Sequence, residues 1–160
     1  KHINNDFFLK KFKNNFYNHV VCWLSLYHLP NREVYLKKIY RIIKPYGNLY
    51  IEDFYLKKEI DSKEKTLLQE KFFSNSLVNK TDFLSGLKFK GFKIDYTNDM
   101  TNDWIRFTSK RLDEFIKNKE KNSIIHKKST IKNILNFYQL ANYLLKSGVL
   151  GGIRLNCTKS

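Results

Sequence analysis

His28 is the residue in this sequence best suited to proton transfer. It stands in the turn Leu26-Tyr27-His28-Leu29-Pro30, and a neutral imidazole takes a proton from an amine or hydroxyl near physiological pH. The same ring can instead serve to orient the loop before Pro30. Two adjacent carboxylates, Glu52 and Asp53, end the apolar run Leu49-Tyr50-Ile51 and suit the steering of a cationic amine, or plain solvation at a strand's end. Tyr55, Trp104 and Phe107 offer rings for a cage around a protonated or quaternary amine, at about 0.5–2 kcal/mol per good cation–π contact, or else an ordinary core stripe. Arg106 and Arg111 suit a carboxylate or phosphate on a substrate, or a solvated helix face. Metal chemistry finds no ligand set, because His2, His19, His28 and His126 are scattered and neither Cys22 nor Cys157 has a CxxC partner. No serine lies in a glycine elbow, so nucleophilic triads are unsupported.

Those groups need elements to hold them. Residues 19–24, His-Val-Val-Cys-Trp-Leu, are a short apolar run suited to a buried strand of a parallel sheet. Asn31 is placed to cap a helix after Pro30, and Val34, Leu36, Ile39, Tyr40, Ile42 and Ile43 recur at helical spacing up to Pro45. Tyr46-Gly47-Asn48 reads as a turn, and 49–53 as a second strand with acidic residues at its carboxyl tip. Strand, helix, strand in this order is a βαβ unit, whose ligands lie at the carboxyl ends of the strands. Downstream, the pattern predicts helices over 63–73, from a Thr81-Asp82 cap to Phe89, over 104–119 and over 130–146. Further strands are predicted at 92–97 and, after Gly151-Gly152, at 153–157.

The chain has 160 residues, 42% of them hydrophobic, which suits one domain with its own apolar core; no repeat or linker divides it, so 1–160 reads as a single unit. The formal charge of +15 comes almost entirely from lysines spread along the chain, with arginine only at 32, 41, 106, 111 and 154. That distribution argues for a compositional bias and against a polyanion partner such as nucleic acid, which arginine forks would recognise. No stretch approaches the length of a membrane span, and both cysteines sit in apolar runs, as expected for a cytoplasmic protein.

Two segments carry a family resemblance. Tyr17-Asn18-His19-Val20-Val21-Cys22-Trp23-Leu24-Ser25-Leu26-Tyr27-His28-Leu29-Pro30 resembles the fourth strand and following loop of class I S-adenosylmethionine-dependent methyltransferases. Arg41-Ile42-Ile43-Lys44-Pro45-Tyr46-Gly47-Asn48-Leu49-Tyr50-Ile51-Glu52-Asp53 is similar to the Leu-Lys-Pro-Gly-Gly entry to the next strand. The resemblance is nearest to small-molecule N-methyltransferases of the phosphoethanolamine and sarcosine-dimethylglycine type, through His28, the strand end Glu52-Asp53-Phe54-Tyr55 and the segment 99–104.

It implies an α/β, Rossmann-like class I methyltransferase sheet, carboxyl-terminal part, with strands four to seven and their crossover helices present and the first strands missing. In that sheet 19–24 and 49–53 run side by side and parallel, and the last strand inserts antiparallel between 49–53 and 92–97. The implied cofactor is S-adenosylmethionine, bordered at its methionine end by Cys22, Trp23 and Leu24. His28 is the implied general base for a small-molecule amine, and from their chemistry Asp53, Tyr55 and Trp104 are the expected contacts to that amine and Arg106 to a phosphate or carboxylate on the substrate.

Departures accompany the matches. Asn18 stands where the family has aspartate, and Tyr46 replaces the first glycine of its Gly-Gly corner. The glycine-rich first turn and the ribose-binding acid have no counterpart, since only 16 residues precede Tyr17. The expectation is therefore a partial domain lacking its cofactor-gripping half, with weak cofactor binding and an exposed strand edge prone to self-association. An inactive fragment acting as an interaction protein and an RNA methyltransferase are the alternative readings.

Overall fold

Local chemistry sets the element boundaries in the computed structural model, which describes residues 6–160. Strand β1 (Tyr17–Trp23) leads through a single 3-10 turn (Leu26–His28) to helix α1 (Arg32–Ile42). Asn31 caps α1, taking a left-handed φ of +54° while its side chain accepts the Val34 amide at 3.3 Å. Strand β2 spans Ile43–Leu56, so the turn expected at 46–48 is instead a kink within a strand. The register with β1 jumps there, from Tyr17 opposite Ile43 to His19 opposite Asn48. Tyr46 takes the left-handed φ of +63° that a glycine would take without strain. Gly47 is needed for a different reason: a Cβ there would lie 2.7 Å from Ile43 Cγ2 and 2.9 Å from the carbonyl oxygens of Asn18 and Lys44.

Helix α2 (Ser62–Phe72) opens on a capping box, in which Asp61 accepts the Glu64 amide at 2.7 Å and Glu64 accepts the Asp61 amide at 3.1 Å. Helix α3 (Lys80–Phe89) is capped by Asn79, not by the Thr81-Asp82 pair the sequence suggests; Asn79 Oδ1 accepts the Asp82 amide at 2.8 Å. Strand β3 (Phe92–Asp99) and helix α4 (Thr101–Lys117) follow. Then come a short helix α5 (Lys119–Ile125), helix α6 (Lys128–Lys146) and strand β4 (Leu150–Lys159). The sequence pattern gave no sign of α5 because it buries none of its residues.

The sheet order is β1-β2-β4-β3, with β1 parallel to β2 and β4 antiparallel to both of its neighbours, as the resemblance implies. Strand alternation divides the residues between two faces. Cys22, Leu49, Ile51, Tyr55, Ile153, Leu155 and Cys157 point to one face, where Tyr35, Leu36, Ile39, Ile42, Phe83 and Leu87 of α1 and α3 complete the core. Phe54 and Leu150 point to the other, where α2 and α6 contribute Leu68, Phe72, Ala141, Leu144 and Leu145. This second face is partly open: Val21, Tyr96 and, at the carboxyl tip of β1, Trp23 are exposed large side chains on it. Among the described residues no helix is long and apolar enough to cross a membrane.

Candidate active site

A cleft of about 400 Å³ opens at the carboxyl ends of β1 and β2, on the sheet face covered by α4 and α6. Trp23 and Leu24 come from the end of β1, Glu52 and Phe54 from β2, Asp103, Trp104 and Phe107 from α4, and Phe137, Tyr138 and Ala141 from α6. Trp23 pairs across the ladder with Glu52, and Glu52 with Arg154, so the three side chains share one face. Leu24 turns the chain out of the sheet at φ +46°, its amide donating to the Glu52 carbonyl at 2.8 Å.

Trp104 reaches the cleft because β4 carries glycine beneath it: a Cβ on Gly152 would sit 2.5 Å from the indole ring. Gly151 plays the same part on the opposite face under Tyr55, whose ring would lie 2.4 Å from a Cβ. The start of α4 is pinned to the sheet. Asp99 accepts the Thr101 amide and the Tyr55 hydroxyl, each at 2.8 Å, and the Met100 amide donates to Gly152 O at 2.7 Å. Burial alone would raise the Asp99 carboxyl, but the bonds from Thr101 and Tyr55 hold it below its ordinary value. Tyr55 is pushed up to about 12, first by burial and then by the bond to Asp99.

Glu52 is almost fully buried at the cleft wall. Its Oε1 accepts Arg154 Nε at 2.6 Å and also the Tyr50 hydroxyl. Oε2 accepts no hydrogen bond among the described residues.

The site residues expected from the sequence separate into those the cleft gathers and those it does not. Trp23, Leu24 and Trp104 line it, with Phe107 beside them. Cys22, next to Trp23, points into the opposite core, where burial raises its thiol to about 12. Asp53 is fully buried and serves the backbone: its carboxylate accepts the amides of Leu26 at 2.7 Å, Tyr27 at 3.3 Å and Phe54 at 2.8 Å. Tyr55 is likewise buried on that face, bonded to Asp99. Arg106 spends its guanidinium on Asp103 of its own helix, at the surface. None of these four side chains lines the cleft: Cys22 packs in the opposite core, and Asp53, Tyr55 and Arg106 make bonds within the chain. Alternation along the strands was the signal available for this division, since Trp23 and Glu52 share a face that Cys22 and Asp53 do not.

His28 stands at the same end of the sheet, one ring behind the cleft. Its ring lies 3.7 Å from that of Tyr27, which is 5.3 Å from Phe54, itself 4.8 Å from Trp104 of the cleft wall. His28 Nδ1 lies 2.8 Å from Phe73 O. A carbonyl only accepts, so Nδ1 carries the proton, and in the neutral ring Nε2 keeps its lone pair. The turn itself is braced from two sides. Asp53 holds its amides, while the Asn75 and Ser76 amides donate to Tyr27 O, Ser76 Oγ to Leu26 O and Asn75 Nδ2 to His28 O. A larger groove of about 720 Å³ among α4, α5 and α6, lined by Arg111, Lys121 and His126, receives no strand end. His2 lies outside the described residues.

A sequence profile of the methyltransferase-domain family matches residues 2–51. No curated protein matches the chain in sequence. Among solved structures, a putative sarcosine dimethylglycine methyltransferase from Galdieria sulphuraria superposes with a TM-score of 0.82 at 18% identity, over 98% of this chain and 58% of its own. Phosphoethanolamine N-methyltransferase 2 from Haemonchus contortus, solved with phosphomonomethylethanolamine and S-adenosylhomocysteine, gives 0.81 at 15% identity, over 93% of this chain and 34% of its own. A cyclopropane synthase from Mycobacterium tuberculosis gives 0.74 at 10% identity, over 91% of this chain and 56% of its own. The chain has the fold of the carboxyl-terminal part of a class I S-adenosylmethionine-dependent methyltransferase domain. It spans between a third and three-fifths of the length of these neighbours.

Proposed function

We propose that this chain supplies one side of an active site that moves the methyl group of S-adenosylmethionine to a small molecule, with an amine nitrogen as the accepting atom. The observation that carries this reading is the cleft at the carboxyl ends of β1 and β2, where a parallel α/β sheet places its ligands. The residues present fit the methionine end of the cofactor, because Trp23 stands exposed at the strand tip beside an apolar wall. When bound, the cofactor supplies an electrophilic methyl group on a sulfonium. The chain's own residues do the rest: Trp23 and Leu24 border that end, the rings of Phe54, Trp104 and Phe107 exclude water, and together they align the acceptor.

His28 is the proposed proton acceptor for substrates that carry a proton on the accepting nitrogen, since its Nδ1–H bond to Phe73 O leaves Nε2 basic. The test is transfer of labelled methyl from S-adenosylmethionine to a panel of amines, by the protein that contains this chain, for the wild type and His28→Ala. The expected result is transfer to at least one amine, cut about a hundredfold or more by His28→Ala with S-adenosylhomocysteine affinity unchanged. Transfer to oxygen acceptors alone would overturn the amine assignment, and an undiminished rate in His28→Ala would remove the base.

A further inference from the structure

We infer that the cleft recognises a protonated amine carried on an apolar body, with Glu52 as its anionic wall, and that it selects against substrates bearing a phosphate; the nitrogen gives up its proton to a base before its lone pair takes the methyl. The inference deepens the methyl-transfer reading by naming the substrate class, and it rests on that reading only for the ligand's role as methyl acceptor. Four observations carry it. The lining is dominated by apolar and aromatic side chains, with Trp23, Phe54, Trp104 and Phe107 around one space of about 400 Å³. Such rings present negative π-faces, which attract a cation poorly hydrated enough to enter.

The charged side chains that line the cleft are both carboxylates, Glu52 and Asp103. Glu52 is the informative one. It is buried, yet its Oε1 takes both hydrogen bonds, from Arg154 and Tyr50, and its Oε2 has no partner among the described residues. Oε2 is not sealed from solvent, since Arg32 Nε is the one buried side-chain polar atom without a partner among the described residues, so this oxygen is open to a cation entering the cleft.

The arginines next to the lining are already paired, Arg154 with Glu52 and Arg106 with Asp103. A phosphate entering the cleft would meet two carboxylates and have to displace one of those pairs. A positively charged, apolar-flanked amine meets neither obstacle. The same chemistry also describes the cofactor's sulfonium, so the experiment has to separate the two sources.

The chain reports on this site directly, because its only two tryptophans, Trp23 and Trp104, both line the cleft. Tryptophan emission of the chain is titrated with benzyltrimethylammonium, with its neutral isostere neopentylbenzene, and with choline against phosphocholine. The expected result is a saturable change for the ammonium probe, with affinity at least about tenfold above the neutral isostere, and choline binding above phosphocholine. Glu52→Gln should narrow the charged-to-neutral difference; if that variant fails to fold, the comparison of probes on the wild-type chain decides alone.

Equal affinity for the two benzyl probes, or tighter binding of phosphocholine than of choline, would overturn the inference. Displacement of benzyltrimethylammonium by S-adenosylmethionine but not by S-adenosylhomocysteine would assign the cation site to the cofactor's sulfonium and overturn the substrate assignment. The result expected is displacement by neither. Since no methyl transfer is measured, failure here is distinct from failure of the proposed reaction.

Discussion

At position 53 a carboxylate does a backbone's work. Buried beneath the turn that carries His28, it accepts the amides of Leu26, Tyr27 and Phe54, and burial raises its pKa from 3.8 to about 7 against the lowering effect of those bonds. Because the folded form holds its proton to a higher pH than the unfolded form, the stabilisation is fully present below about pH 4. It is lost progressively as pH rises through 7. A shift of that size corresponds to a few kcal/mol, on the order of 1.4 per pH unit. Denaturant melts of the wild type between pH 4 and pH 8 should therefore show falling stability, and Asp53→Asn should flatten the profile. A slope unchanged in Asp53→Asn would place the titration elsewhere. The sequence marks Glu52-Asp53 as an acidic strand end but cannot say that one carboxylate faces a cleft and its neighbour a core; only the pairing register assigns the faces.

The elements that shape the cleft meet at two glycines. Gly151 and Gly152 precede the strand expected at 153–157, yet both lie within β4, each under an aromatic ring on opposite faces of the sheet. Gly152→Ala would put a methyl 2.5 Å from the Trp104 ring, so the ring must move out into the cleft or β4 must shift. The expected cost is about 1–3 kcal/mol, read as a lower melting temperature together with an altered Trp104 emission. A variant as stable as the wild type, with unchanged fluorescence, would show that the glycine is not what seats the ring. The βαβ unit and the longer helices were legible because apolar runs and 3.6-residue periods encode them directly, whereas the order of the strands came from the family resemblance. The cap of α3, the kink at Tyr46 and the existence of α5 were not, since each depends on a local bond or an exposed surface that leaves no periodic trace.

At the scale of the whole molecule, what the sheet covers and what it leaves open matter together. One face is packed by α1 and α3, the other by α2, α4 and α6 over the carboxyl ends only, and β1 lies at the sheet's edge. The charge of +15 is spread along the chain and does not gather at the cleft, whose charged lining is acidic. The cleft was only half legible. Trp23 and Leu24 were picked out by resemblance and Trp104 by its ring, but the contributions of α6 require knowing how α4 and α6 pack, which no local pattern states. The central claim is that the cofactor's sulfur end meets this chain at the tip of β1. It is tested most directly by amide NMR of the chain titrated with S-adenosylhomocysteine, a method that detects weak binding. In the absence of a glycine-rich turn in this sequence, the account predicts a dissociation constant of about a millimolar, or 4 kcal/mol, with the largest shifts at Trp23 and Leu24. Shifts centred on Arg111 and His126 in the α4–α6 groove, or none at the tip of β1 at several times that concentration, would contradict it.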